Sequence, residues 1–359
     1  MADVPLLVNS APLRTLVERI LEFHLVPPSE AAIVAEVLVR ADLRGVESHG
    51  VARLERYYVG RLRKGLVAAA SPVRVVRETP VTTVMDGGNG LGAVAAKRAM
   101  ELCLAKAQVA GLAAVAVNHS NHFGIAGYYA MMALPLGMIG VALTNASATV
   151  APTYSRQRLL GTNPIAIAIP AGRERPFVLD MATTVAAEGK IEVKDRQGKP
   201  LPPGWVVDRE GSPSTESVAF YGGGALLPLG GGAETCGYKG YGLGLAVDIL
   251  SGILPGAGSS LGVLRSLAAQ EKPVNVGHFF AAMRVDCFRD PDEFRAAMDQ
   301  TLGSIRTSAC AAGAERVYIA GEKEFEMEEE RSRSGIPLLP VVVSSLRDLA
   351  AEAGVEFTL

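Results

Sequence analysis

Gly88-Asn89-Gly90-Leu91-Gly92-Ala93 follows the strand-like run Thr82-Thr83-Val84-Met85 and opens a stretch of helical spacing that extends to about Ala110. A glycine-rich turn of pattern G-x-G-x-x-A between a strand and a helix is the dinucleotide fingerprint in its expected context. Two features count against a Rossmann fold. The next strand candidate, 113–117, leads into Asn118-His119, where the fingerprint wants an acidic residue for the ribose. The motif also comes after helical segments and not after an initial buried strand. Glycines at a strand-to-helix turn often serve the turn alone. The reading is therefore a mixed α/β, non-Rossmann chain.

Upstream, the first 65 residues read as three helices. Ser10 is placed to cap a segment with Leu13, Leu16, Val17, Ile20 and Leu21 at helical spacing. Pro27-Pro28-Ser29-Glu30 starts a second helix that stops near Gly45, and Ser48 is placed to cap a third that closes at Gly65. Downstream, Val73 and Val75, then 139–144, 165–169, 177–180 and 279–282 read as strands. Residues 241–254, 292–302 and 344–353 read as helices, and the Gly- and Pro-rich stretch 194–232 as an irregular excursion.

The 359 residues are 49% hydrophobic and 20% charged, with net charge -2, so nothing in the composition attracts nucleic acid or an anionic membrane. The longest apolar stretch, 131–143, is interrupted by Pro135, Gly137 and Gly140 and is too short to span a bilayer. No basic segment and apolar core mark a secretory signal at the N-terminus. The four cysteines, Cys103, Cys236, Cys287 and Cys310, are scattered and have no metal-ligand spacing. Reduced thiols in a cytoplasmic protein are the simplest account.

If Ser48 caps a helix, His49, Arg53 and Tyr57 share one face at i, i+4 and i+8. His49 would then stand at a helix N-terminus, which favours anions. Arg53 can hold a carboxylate through two parallel hydrogen bonds, Tyr57 adds a neutral donor, and His49 can move a proton near neutral pH. The same spacing also describes an ordinary basic, solvated helix face. A second polar cluster, Asn118-His119-Ser120-Asn121-His122-Phe123-Gly124, follows a buried strand and places two of the five histidines in one loop. No cysteine or carboxylate nearby completes a metal site, so no metal is expected. Proton transfer or cofactor contact is one reading of the pair; local turn hydrogen bonding is the other.

The run Asp42-x-Arg44-Gly45-x-x-Ser48-His49-Gly50-x-x-Arg53-x-x-x-Tyr57 resembles the signature of the type 2 malate/L-lactate dehydrogenase family. That family also includes sulfolactate, ureidoglycolate and diketogulonate dehydrogenases and reductases of cyclic imino acids. The resemblance continues in order through Ser120-Asn121-His122-Phe123-Gly124, Gly161-Thr162-Asn163-Pro164, Leu179-Asp180-Met181-Ala182-Thr183, Gly237-Tyr238-Lys239-Gly240 and Gly277-His278-Phe279-Phe280. It ends with Gly321-Glu322 and Gly335-Ile336-Pro337-Leu338, and so covers nearly the whole chain.

The resemblance implies an α+β fold: a helical domain of residues 1–75 with 312–359, and a dinucleotide-binding domain of residues 76–311 with a largely antiparallel sheet. It implies an NAD(P)-dependent oxidoreductase, with NAD favoured, that interconverts a small 2-hydroxy acid and its 2-oxo acid as a homodimer. His49 or His122 would be the acid/base, with Ser48 orienting His49, and Arg53, Tyr57 and Thr162 would contact substrate. The cofactor would lie along His122, Phe123, Gly124, Ile125 and Ala126, along Asp180, Met181 and Ala182, and at Lys239, Gly321, Glu322 and Lys323. Ala146, Tyr238 and Thr184 depart from residues frequent in the family, and Ala146 removes one polar cofactor contact. Lys190 stands where some imine-reducing members are acidic, which favours hydroxyacid chemistry. Two rivals follow: reduction of cyclic imino acids, and a non-catalytic nucleotide-binding protein.

Overall fold

The structure, a computed structural model, describes residues 5–269 and 273–359. Along the chain, β1 (Leu6–Val8), α1 (Ser10–Phe23) and α2 (Pro28–Leu43) lead into a segment ending in the short helix α3 (Gly60–Arg63). Then come β2 (Arg74–Glu78), β3 (Thr82–Asp86), α4 (Gly92–Ala110), β4 (Leu112–Ser120), α5 (Ala126–Met131), β5 (Met138–Thr144), β6 (Ile165–Ile169) and β7 (Phe177–Met181). The stretch read as irregular carries structure of its own: α6 (Glu188–Arg196), β8 (Val206–Val207), β9 (Pro213–Ser214), α7 (Ser217–Tyr221) and β10 (Ala225–Leu226). The chain closes with α8 (Gly237–Asp248) and its π-helical extension Ile249–Ile253, α9 (Ser260–Ala269), β11 (Val276–Arg284), α10 (Pro291–Arg306), α11 (Glu322–Ser334), β12 (Ile336–Leu338) and α12 (Pro340–Ala353).

The main sheet has seven strands in the order β2-β3-β4-β11-β5-β6-β7. Only β3 and β4 pair in parallel; every other neighbour is antiparallel. The parallel pair is forced by its connection, because α4 carries the chain back over the sheet before β4 begins. β2, at one edge, is exposed along its length and slips register against β3 between Val75 and Arg77. At the other edge, the Val178 amide of β7 donates to the Ala320 carbonyl at 3.1 Å.

One continuous apolar core joins helices and sheet. Leu13 of α1, Leu38 of α2, Met100 of α4, Tyr129 of α5, Phe280 of β11 and Leu346 of α12 all belong to it. Full burial of a side chain such as Leu13 or Leu38 contributes about 2 kcal/mol. A separate small core of Val150, Leu160, Ile191, Leu201, Val206, Phe220 and Leu226 holds the β8–β10 sheet. The excursion hides that core in sequence because its strands are two residues long. α11 has no apolar stripe and was not readable by periodicity. Ion pairs fix it to α2, where Arg40 and Arg44 both reach Glu328.

The glycine motif does sit in a β-α-β unit, but its close approaches are to protein. The Gly87 and Asn89 amides donate to the carbonyls of Asn118 and His119, both at 2.8 Å. A Cβ at Gly92 would lie 2.1 Å from the Asn121 carbonyl oxygen and 2.5 Å from that of His122. The loop thus seats the Asn121-His122 turn. Gly92→Ala must push that backbone aside, and we expect a loss of about 1–3 kcal/mol with a fall in kcat. Denaturant unfolding and turnover of the same preparation check this; unchanged values for both would refute it.

Candidate active site

The segment after Ser48 is not the capped α-helix that its spacing predicts. It winds as 3-10 turns at Glu47–His49 and Val51–Arg53 and a π turn at Leu54–Val59. The cause is Gly50, whose extended backbone (φ -86°, ψ -157°) breaks the winding over the buried Asp42 carboxylate. A Cβ at Gly50 would fall 1.8 Å from Asp42 Oδ1. The Val51 amide donates to Asp42 Oδ2 at 2.8 Å. Ser48 caps nothing: its hydroxyl shares a hydrogen bond with His49 Nδ1 at 2.9 Å. The Ser48 carbonyl accepts from Arg53 Nε at 2.5 Å. The helix N-terminus expected to attract an anion at His49 therefore does not form, and positive charge must come from side chains.

The broken winding still brings the predicted residues together. Ser48, His49, Arg53, Tyr57, His122 and Thr162 all line one cavity. The His122 ring lies nearly parallel to Tyr57, 4.7 Å between centroids, and to His49, 5.7 Å away. Its Nδ1 is 3.1 Å from the Tyr58 hydroxyl and accepts the Gly124 amide at 3.4 Å. A backbone N–H only donates, so Nδ1 accepts and the proton of neutral His122 lies on Nε2. Asn121 Nδ2 donates to the Gly90 carbonyl at 2.8 Å and so ties this turn to the glycine loop. The two loop histidines part company. His119 is exposed, with a left-handed backbone (φ +48°), and its Nδ1 faces Asp86 at 3.2 Å, away from the cavity.

Sequence reasoning missed the support beneath His122. Phe123 stacks on the buried His278 of β11 at 4.6 Å. His278 Nδ1 meets Thr144 Oγ1 of β5 at 2.8 Å and its Nε2 meets Ser120 Oγ of β4 at 2.7 Å. One imidazole thus joins three adjacent strand ends under the site. The quoted Gly277-His278-Phe279-Phe280 motif contained this residue, without a signal for its role. Arg56 and Arg61 also line the cavity, as do Glu188 and Glu192 of α6. Extending the i, i+4 spacing of Arg53 and Tyr57 by one step would have found Arg61.

Electrostatics keep both cavity histidines neutral. Burial holds the His49 imidazole down to about 4, helped by the Arg53 charge. His122 lies well below the usual histidine range, through burial first and then through repulsion by His49, Arg53 and His278, the two histidines acting only when protonated. Among the described residues no carboxylate pairs with Arg53. No group of three or more metal-ligating side chains occurs among them either.

Of the residues expected to hold the cofactor, His122, Phe123 and Gly124 line the cavity. Ile125 and Ala126 begin α5, where the Gly127 amide donates to Asp180 Oδ2 at 2.7 Å. Met181 pairs with Ile165 at the end of β7, and Ala182 follows it. Gly321 packs on Val178, two residues from Asp180. Glu322 is engaged otherwise: it accepts from Arg306 Nε at 2.7 Å and from the Ile319 amide at 2.8 Å. Lys323 Nζ lies over the Tyr318 ring at 4.4 Å, and Lys239 is exposed in the first turn of α8.

The family model for malate/L-lactate dehydrogenase matches residues 8–347, and the chain belongs to that family. It is similar to malate dehydrogenase of Pyrococcus horikoshii, 47% identical over 332 residues that cover 92% of this chain and 91% of that protein. The solved structure of that enzyme superposes with a TM-score of 0.90 over 99% of this chain and 97% of that one. L-Sulfolactate dehydrogenase of Methanocaldococcus jannaschii is 38% identical over 92% of each chain. The structure of delta1-piperideine-2-carboxylate reductase from Pseudomonas syringae is more distant, with 28% identity and a TM-score of 0.83 over 96% of this chain and all (100%) of that one. The chain is accordingly a nicotinamide-dependent 2-hydroxyacid dehydrogenase by family.

The depressed histidine pKa values fix a pH dependence. Should His49 be the base, it gains competence as pH rises through its own pKa, which burial holds down to about 4. In the oxidation direction, kcat/KM of the free enzyme should rise below about pH 5 and stay level through neutrality. A limb centred near the ordinary histidine value of about 6.5 would contradict the buried, neutral pair. For stability the sign is the same: the unfolded chain binds the extra proton, so this contribution is intact above about 6.5 and is lost as pH falls toward 4.

Proposed function

We propose that the protein interconverts a small 2-hydroxy acid and its 2-oxo acid, with Arg53 and Tyr57 holding the C1 carboxylate and His49 moving the proton of the C2 oxygen. The observation that carries this reading is the convergence of Ser48, His49, Arg53, Tyr57 and His122 on one cavity. Arg53 is held through Nε by the Ser48 carbonyl, so its terminal nitrogens remain for a carboxylate. His49 has a hydroxyl partner, which donates or accepts, so its Nε2 can serve as base for the alcohol or acid for the ketone. His122, with its proton on Nε2, serves as a fixed donor to the same oxygen. Thr162 lines the cavity beside them.

The cavity wall formed by His122, Phe123, Gly124, Thr144, Asn145 and Ala146 carries no net charge, which suits a nicotinamide ring. When bound, that ring supplies the hydride acceptor or donor. Ile125, Ala126, Asp180, Met181, Ala182, Lys239, Gly321, Glu322 and Lys323 complete the proposed cofactor path. Within this reading NAD is favoured over NADP as the cofactor. The division into residues 1–75 with 312–359 and residues 76–311 belongs to the same reading. The similarity to a cyclic-imine reductase sustains that activity as a second reading.

Self-association as a homodimer is supported by α8 and its extension, where Tyr238, Leu243, Ile249, Ile253 and Leu254 are exposed. A cytoplasmic location is supported by four free cysteines. Among the described residues no helix is long and apolar enough to cross a membrane.

A panel of 2-oxo acids against NADH and NADPH, with and without an amine, tests the reaction. We expect turnover without amine; turnover only with amine would favour the imine reading. His49→Ala should lower kcat by about two to four powers of ten, and a loss below about threefold would remove it from the role. Arg53→Lys should raise KM for the acid more than it lowers kcat, because the two-point hold is lost. Light scattering should give twice the chain mass, and Ile253→Glu should reduce it; a monomer in the parent protein would end the dimer proposal.

A further inference from the structure

The cavity contains a cation that the proposed reaction does not use. Arg61, on α3, follows Arg53 and Tyr57 along the same strip of chain and lines the same cavity. It is half-buried, and its Nη2 is shut off from solvent without a hydrogen-bond partner. Its neighbours are differently placed. Arg63, two residues on, is satisfied by Glu55 and Glu352, and Arg56 lies over the Tyr57 ring at 5.5 Å. The acidic side chains that reach the cavity, Glu188 and Glu192, form no ion pair with Arg61 among the described residues. Leaving a charged N–H buried and unpaired is costly, and the cost is relieved when an anion arrives. Burial lowers the affinity of this guanidinium for its own proton, and Tyr57 is the neighbour that offsets the effect.

We propose that Arg61 receives a second anionic group of the substrate, so that the preferred substrates are 2-hydroxy acids carrying a further carboxylate or comparable oxyanion. The inference rests on the reading of Arg53 as the anchor for the C1 carboxylate. With Arg53 at one end and Arg61 further along the strip, a dianion meets two cations and a monoanion leaves Arg61 unpaired. Selectivity then arises as much from the penalty on the wrong substrate as from attraction of the right one. The same oxyanion chemistry is present in the cofactor's phosphates, so the test must separate the two sources.

The experiment measures kcat/KM for malate and for L-lactate, and KM for NAD and NADP, in the parent enzyme, Arg61→Met and Arg61→Lys. We expect the parent to prefer malate. Arg61→Met should lose about 30- to 300-fold on malate and less than about threefold on lactate, while Arg61→Lys retains part of the preference. An equal loss on both acids, or no loss on malate, would overturn the role of Arg61. A raised KM for NAD or NADP with malate selectivity intact would assign the anion to the cofactor and also overturn it. If Arg61→Met fails to fold, the lysine variant decides by the same ratio. A parent enzyme that turns over no 2-hydroxy acid with either cofactor would instead overturn the dehydrogenase reading, and this inference with it.

Discussion

Asp42 is buried beneath Gly50, and its carboxylate takes the Val51 amide at 2.8 Å. That one contact joins the end of α2 to the break between the two 3-10 turns of the site-bearing segment. Had the segment continued as an α-helix from Ser48, His49 would have been a terminal residue facing outward from its first turn. The break at Gly50 instead folds two short 3-10 turns around the carboxylate, leaving His49 on one and Arg53 on the next. Burial pushes the Asp42 carboxyl up to about 7 even against the pull of the amide. The contact is therefore held by geometry more than by charge, and α2, fixed in the main core, supplies the rigidity.

A second support meets the first from the sheet. His122 is placed by the turn after β4, which Gly92 and Asn121 hold from below and the Phe123–His278 stack holds from behind. The cavity thus lies where the helical layer's broken segment faces the ends of β4, β11 and β5. Both histidines are stripped of water and beside a cation, so both stay neutral until a bound acid supplies compensating charge. The protein thus holds both cavity histidines in one protonation state over a wide pH range.

Much of this was legible in the residues. The alternation of 139–144 and 165–169, the helical spacing from Leu13 to Leu21 and the rejection of the glycine motif all follow from side-chain pattern, which burial determines. The site strip was found, but by a mistaken geometry: Ser48, His49, Arg53 and Tyr57 converge without the α-helix that suggested them. Nothing local announces the break at Gly50, because it depends on Asp42, which spacing treats as a helix-end residue. α11 was hidden because few apolar residues, Phe325 among them, reach the core from it and charge pairs supply much of its hold. His278 was hidden because its partners, Ser120 and Thr144, are more than 130 residues away in sequence.

The two borders of the main sheet have a consequence for how copies of this chain can meet. Strand β2 presents Arg74, Arg77 and Glu78 along a kinked, wholly exposed border, and β7 has the 320 segment laid against it. Charge and irregularity at one border, and the Ala320 carbonyl laid on the Val178 amide at the other, both discourage strand addition. Assembly through helical or loop surfaces is thereby favoured over the stacked, strand-to-strand aggregation to which open sheets are prone.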